Sequence, residues 1–283
     1  MPTLAKSLPP GGLIGFRDVD SVEDPSAYAT FLDRFAVSFN QMIETGLDLL
    51  RVPPDETVLD LGCGHGAVFP ALAARVGAGG RIVGLDASRA LIAEANKRFE
   101  GSVQPVELHT GDAHALPFGD AVFAAARADR VFLFLRDPRV AFDELIRVTK
   151  PGGRVVITEA DFGTVAVDAS DVRTTRALLG AMADQVPNGW IGRRLRAMFI
   201  DAGLDDVEVR LFTIQSTSFA EWSSRMGIEG AVRTAIDVGE VSQATASAWL
   251  DELGEREATG RFLATGMFFM VSGTVRAGGT TGA

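Results

Sequence analysis

A parallel α/β fold is predicted by two features of this chain. From Thr57 to about Glu159, short apolar runs alternate with amphipathic stretches, and the first run, "VLDLGCGHGAVFPALAARVG", passes through a glycine turn straight into a helical pattern. Repeated β-α units build a parallel sheet whose two faces are both covered.

The 283 residues are 47% hydrophobic, enough for a substantial core, and carry a formal net charge of −10. Phosphate contacts need clustered Lys and Arg, so this balance argues against nucleic acid or an anionic membrane surface as partner and for a small molecule. No run approaches the roughly 20 apolar residues of a membrane span. The start, "MPTLAKSLPPGGLIGF", lacks a secretory pattern, so a soluble cytoplasmic protein is expected. Cys63 is the sole cysteine, which excludes an internal disulfide and a multi-cysteine metal site; no metal is expected. A homodimer is left open.

Taken in order, residues 1–24 are rich in Pro, Gly and small polar residues and are expected to form a disordered N-terminal arm. Apolar residues at helical intervals from Pro25 to Leu50, Tyr28, Phe31, Phe35, Phe39 and Ile43 among them, predict one or two helices. Strands are predicted at "TVLDLG", "RIVGLD", "VQPVELHTGD", "AVFAAARAD" and "RVVITEAD". Ser88 is placed to cap a helix through Phe99, and "PRVAFDELIRVTKPGG" reads as a helix ending at Pro151–Gly152. Beyond Asp161 come a helix over Val172–Gln185, another in "WIGRRLRAMFIDAGL", a strand in "DDVEVRLFTI", mainly helix over 219–262, and a closing strand in "GMFFMVSGTVR". A disordered tail over 277–283 is expected.

The glycine turn suits more than one cofactor, since Gly62-x-Gly64-x-x-Ala67 also satisfies a dinucleotide fingerprint and Asp86, 20 residues past Gly66, fits a ribose acceptor in either case. Asp60 discriminates. A bare carboxylate beside a pyrophosphate is unfavourable, whereas an ammonium and a sulfonium are welcome there. Asp112, after the third strand, can accept from an exocyclic adenine amine. Asp60, Asp86 and Asp112 sit at successive strand ends and so converge on one crevice.

In this order and spacing, "VLDLGCGHG", "GLDAS", "GDAHALPF" and "RVTKPGGRVVITE" resemble the class I S-adenosylmethionine-dependent methyltransferases, particularly the branch around the ubiquinone and menaquinone C-methyltransferases. The resemblance is strong over about 55–160. It implies a Rossmann-like, doubly wound, seven-stranded sheet, mostly parallel with an antiparallel last strand, in a single domain over 25–276. The stretches at about 161–190 and 215–265 are long for connections in a compact sheet and are expected to be helical lid insertions. The resemblance also implies that Asp60, Gly62, Gly64 and His65 surround the methionine portion of S-adenosylmethionine, Asp86 and Ala87 the ribose, and Asp112 and Ala113 the adenine, with Asp129 lining the methionyl end. Many relatives carry a histidine near Phe134; this chain does not.

Methyl transfer to a hydrophobic or aromatic small molecule, in quinone-like or secondary-metabolite biosynthesis, is the expected function, with C- or O-transfer unassigned. The alternative is a methyltransferase-like protein that uses the cofactor structurally, for a cyclisation or as a binding module. Asp161 is the candidate base. Arg127, Arg130, Arg193, Arg194 and Arg196 are candidates to anchor an acidic substrate. The acceptor determinants are expected within 161–265, where Met182, Trp190, Trp222, Met226 and Trp249 offer apolar surface.

Overall fold

A computed structural model describes residues 14–277. The apolar runs form β1 (Thr57–Leu61), β2 (Arg81–Asp86), β3 (Val106–Thr110), β4 (Phe123–Asp129) and β5 (Thr149–Val167). Two longer strands follow, β6 (Asp205–Ser216) and β7 (Ala264–Thr274). They make one sheet in the order β3-β2-β1-β4-β5-β7-β6. The first five pair in parallel, and β7 runs antiparallel to both β5 and β6, as the family resemblance implies.

The strand order reverses between β1 and β4. The chain leaves β1 through α3 (Phe69–Val76) and α4 (Arg89–Phe99) in one direction and leaves β4 through α5 (Pro138–Val148) in the other. Crossovers between parallel strands are right-handed, so α3 and α4 cover one face of the sheet and α5 the other. A crevice opens at the reversal, beyond the strands' C-terminal ends. On the first side α1 (Ser26–Ser38) and α2 (Asn40–Leu49) add to the layer; on the second, α7 (Ile191–Asp201) packs Phe199 on Phe142 of α5 with ring centroids 4.6 Å apart.

Local chemistry sets the helix ends. Ser88 Oγ accepts from Leu91 N, Asp137 caps α5, and Gly203 takes φ +79° just beyond α7. Four helices occupy the stretches expected to form a lid: α6 (Val172–Ala183), α8 (Phe219–Met226), α9 (Ile228–Asp237) and α10 (Gln243–Ala258). Met182, Trp222 and Trp249 are buried there, and Trp249 Nε1 donates to Thr175 Oγ1 at 2.9 Å.

Three expectations need correction. The helix of "PRVAFDELIRVTKPGG" stops at Val148, because Thr149 is already extended and pairs with Phe123 in the ladder; Thr149 to Gly153 belong to β5. That strand runs on to Val167 through an irregularity between Asp161 and Ala166, so the first lid insertion begins as strand. Of the arm expected to be disordered, residues 14–24 carry 3-10 turns at Ile14–Arg17 and Val19–Ser21, whereas residues 1–13, like 278–283 of the tail, lie outside the described residues.

Asp20 holds this N-terminal segment down. One of its carboxylate oxygens accepts from Ser88 Oγ (2.7 Å) and Ala90 N (3.0 Å), and the other from Arg89 N (3.0 Å), a second cap on α4 supplied from 68 residues upstream. Asp20→Ala is expected to cost about 1 kcal/mol in urea denaturation and to expose residues 14–24 to limited proteolysis faster than in the parent protein.

Candidate functional site

The parallel register of β1 and β4 sets Asp60 opposite Arg127, and the period of two along β4 puts Asp129 on the same face. The three side chains meet: Arg127 Nη1 donates to Asp60 Oδ1 at 2.9 Å and Nη2 to Asp129 Oδ2 at 3.0 Å. Arg130 Nε closes the chain on Asp129 Oδ1 at 3.0 Å. Asp60 and Arg127 are only 1% and 4% exposed, so this network sits in low dielectric. Burial pushes the Asp60 carboxyl up to about 6 against the pull of Arg127. Burial would also raise Asp129, but Arg130 and Arg127 together outweigh it and hold it low.

The glycine turn is tied to β2 by hydrogen bonds. Gly62 N and Cys63 N donate to Leu85 O at 2.7 and 3.2 Å, and Gly64 N donates to Asp86 Oδ2 at 2.8 Å. Gly62 and Gly64 both lie at positive φ, and side chains there would strike Val131 and Leu32. Asp86 Oδ1 accepts from Ser88 N, and burial raises its carboxyl. Cys63 is buried beside Asp86 and Asp60, and burial first, then these acids, drive its thiol well up, so it is not a nucleophile. His65 is buried with its Nε2 3.0 Å from Asp33 Oδ1 on α1, and neither ring nitrogen makes a well-directed hydrogen bond.

Asp112 lies two residues beyond β3, where Oδ1 accepts from His114 N (2.9 Å) and His114 Nδ1 (2.5 Å). Because His114 Nε2 accepts from Asp137 N at 3.2 Å, the ring proton is on Nδ1. The Asp112 Oδ2 oxygen remains available at the cavity rim, and the hydrogen bonds from His114 hold its carboxyl below the usual range.

Asp60, Gly62, Gly64, His65, Asp86, Ala87, Asp112, Ala113 and Asp129 all line one cavity of about 320 Å³. At this end five carboxylates, Asp20, Asp60, Asp86, Asp112 and Asp129, face two guanidiniums, Arg127 and Arg130, and Arg17 and Asp18 of the lining cancel, which leaves a formal surplus of three negative charges. Asp60 Oδ2 is buried there without a hydrogen-bond partner among the described residues. An end so charged, with a spare acceptor, suits a cationic ligand that brings N–H donors. The bare carboxylate assumed beside the glycine turn is thus half-compensated by Arg127, and the preference for a cation rests on the summed charge of the end.

Away from these acids the lining is mostly apolar, with Arg225 and the Arg193-paired Asp161 as its charged members. Phe31, Phe35, Phe39 and Ile43 of α1 and α2 supply it together with Met226 and Phe268. Of the lid residues expected to do so only Met226 does; Met182, Trp222 and Trp249 pack inside the lid, and Trp190 stacks under Arg193 at 4.4 Å. Apolar cavity surface therefore comes also from residues 26–49, not from 161–265 alone. Amphipathic helices ahead of the first strand read equally well as plain packing, which is why their role was not visible.

Asp161 lines the cavity, but both its oxygens are engaged by Arg193, through Nε and Nη2 at 2.7 Å each and the backbone N–H at 2.9 Å. To act as a base it would have to release Arg193. Arg194 and Arg196 point out from α7, exposed and away from the cavity, whereas Arg127 and Arg130 are bound to acids within it.

One residue that sequence reading missed is Glu159. Its Oε1 accepts from Val131 N (2.8 Å) and Phe132 N (2.5 Å), pinning the turn after β4, while Asn188 Nδ2 donates to Phe132 O and Leu135 O from the other side. Arg130, at the head of that turn, is held at φ +59°. Burial raises the Glu159 carboxyl to about 8. A raised folded-state value means that its contribution to stability is complete below the unfolded value near 4.5 and is lost as pH rises through about 8. Between these limits stability should fall with pH, and Glu159→Gln should flatten the slope by one proton's worth, about 1.4 kcal/mol per pH unit, in urea unfolding from pH 5 to 8.5.

Comparison with known proteins agrees with this geometry. A family profile described as a methyltransferase domain matches residues 59–157. A demethylmenaquinone methyltransferase of Bacillus licheniformis is 31% identical over 59% of this chain and 78% of its own length. A 2-phytyl-1,4-naphthoquinone methyltransferase of Thermosynechococcus vestitus is 37% identical over 41% of this chain, and an uncharacterised transposon protein of Streptomyces fradiae 34% identical over 80%. The chain spans only 51% and 64% of the length of these last two. Among solved structures, the geranyl diphosphate C-methyltransferase of Streptomyces coelicolor superposes with TM-score 0.52 at 17% identity, covering 83% of this chain and 77% of that one, and so speaks for the fold. With the sheet order and the matched relatives in agreement, the chain belongs to the class I S-adenosylmethionine-dependent methyltransferases, and S-adenosylmethionine is its cofactor.

Proposed function

We propose that the chain methylates a hydrophobic or aromatic small molecule, at carbon or oxygen, in a quinone-like or secondary-metabolite context. The observation that carries this reading is the wall of Phe31, Phe35, Phe39 and Phe268 at the apolar end of the cavity. Aromatic faces at that end suit a flat, apolar acceptor. The relatives named for naphthoquinone and menaquinone methylation support the same class. The net charge of −10 weighs against nucleic acid as the acceptor. Methyl transfer is also favoured over a purely structural use of the cofactor.

The cofactor supplies an electrophilic methyl group on a sulfonium. The chain's own part is positioning. Asp86 and Ala87 are assigned to the ribose, Asp112 and Ala113 to the adenine, and Asp60, Gly62, Gly64, His65 and Asp129 to the methionyl portion. Asp60 Oδ2 and the surplus negative charge favour the sulfonium over its neutral product. The phenylalanine wall holds the acceptor and keeps water away, which contributes much of the acceleration in a displacement that needs no protein nucleophile.

Incubation with methyl-labelled S-adenosylmethionine and a panel of quinols, phenols and enols tests the acceptor class: label is expected in the organic extract, and label confined to macromolecules would overturn it. Asp86→Ala should weaken S-adenosylhomocysteine binding about 10- to 100-fold by calorimetry; an unchanged affinity would refute the site assignment. Because Asp60 is ionised above about pH 6 and neutral below, affinity for S-adenosylmethionine should fall up to about tenfold from pH 7 to pH 5, and Asp60→Asn should remove that dependence.

A further inference from the structure

Two guanidinium groups bracket a stacked pair of phenylalanines in the cavity wall. Arg130 lies 3.5 Å from the Phe35 ring centroid, Phe35 stacks on Phe39 at 4.1 Å with the planes 25° apart, and Arg225 faces Phe39 at 5.5 Å. All four residues line the cavity.

The two cations are not equivalent. Arg130 is balanced by Asp129. Arg225, on the lid helix α8, has no hydrogen-bond or ion-pair partner among the described residues, only the face of Phe39. Residues 1–13 and 278–283 contain no Asp or Glu that could supply one. A guanidinium stays charged at any pH at which a protein is folded, and the quadrupole of one phenylalanine offsets only part of what half-burial costs it. Ile214, Met226, Met267 and Phe268, which line the cavity with it, are uncharged, and Glu221 and Glu229, four residues to either side in the chain, form no ion pair with it. The cavity is therefore dipolar: negative beside the glycine turn, positive at the lid.

We propose that Arg225 anchors an anionic group of the methyl acceptor, so that the substrate is an apolar or aromatic molecule carrying a carboxylate or an ionised phenol or enol. This rests on reading the apolar end as the acceptor site. The acids around Asp60 and Asp129 repel such an anion while Arg225 offers two parallel N–H donors, so the molecule enters one way round, its charge at the lid and its apolar body along Phe35 and Phe39. For a phenol or enol the guanidinium also favours the ionised form, the proton passing to solvent as the acceptor binds. With the anionic oxygen at the lid, the methyl group goes to a conjugated carbon of the acceptor, which gives up its own proton to solvent afterwards, so neither proton calls on Asp161, which Arg193 engages fully.

The test is equilibrium binding to protein saturated with S-adenosylhomocysteine, using two matched pairs of probes: 2-naphthoate against its methyl ester, and 2,4-dinitro-1-naphtholate against its methyl ether. At least one anion should bind about tenfold or more tighter than its neutral partner, and which pair shows it separates a carboxylate from a phenolate acceptor. Arg225→Met should abolish that preference, leaving the neutral probe and S-adenosylhomocysteine affinities within about twofold, and Arg225→Lys should retain part of it. Equal binding of anion and neutral partner in both pairs, binding of none of the probes, or a preference that survives Arg225→Met would each overturn the proposal. Parent protein that fails to bind S-adenosylhomocysteine would overturn the methyltransferase reading along with it, whereas intact cofactor-product binding with no anion preference strikes the Arg225 assignment alone.

Discussion

Arg127 sits between Asp60 and Asp129 at the point where the strand order reverses, and the neighbouring features depend on that placement. Two buried carboxylates on adjacent strand ends would repel each other strongly in low dielectric, and a single planar guanidinium with two forked donors holds both. It can do so only because β1 and β4 pair with Asp60 opposite Arg127. A slip of one residue would turn Arg127 to the other face of the sheet and leave both acids without it. Register, usually a matter of which apolar side chains meet the core, is enforced here by charge as well.

From that centre the balance is handed outward. Asp129 is shared with Arg130, Arg130 lies on Phe35, and the strained turn that carries Arg130 is fixed by Glu159 from β5 and by Asn188 from the connection before α7. Elements far apart in the chain thus converge on residues 129–135. The cavity wall is continuous from acid to arene to the lone cation of α8, which gives it a direction that neither end has alone.

The sheet and most of its crevice were legible in the sequence because they rest on local rules. Apolar runs of strand length, glycines that only a left-handed turn requires and acids at successive strand ends are each readable within a few residues. The long-range contacts were not. Arg127 stands in an alanine-rich strand two residues before Asp129, a spacing that does point to one face, but its pairing with Asp60 depends on a register that local pattern does not set. Asp20 looks like any polar residue in a Pro- and Gly-rich start, and its role appears only once residues 68 to 70 positions away are beside it. Likewise Phe35 and Phe39 carry a helical period that suits core and cavity equally, and the aromatic residues of the lid, which looked the better candidates, spend themselves on packing α6 and α8–α10 together.

The glycine turn between β1 and α3 is held by Leu85 O and by Asp86, both at the end of β2. Its shape is thus set by hydrogen bonds to the sheet. Little conformational entropy is then lost in the turn when the cofactor is loaded, and little is regained when the spent form departs. The exchange of one for the other is left to charge: the two differ by the positive sulfonium, and the end of the cavity proposed to receive them carries the surplus negative charge that can tell them apart.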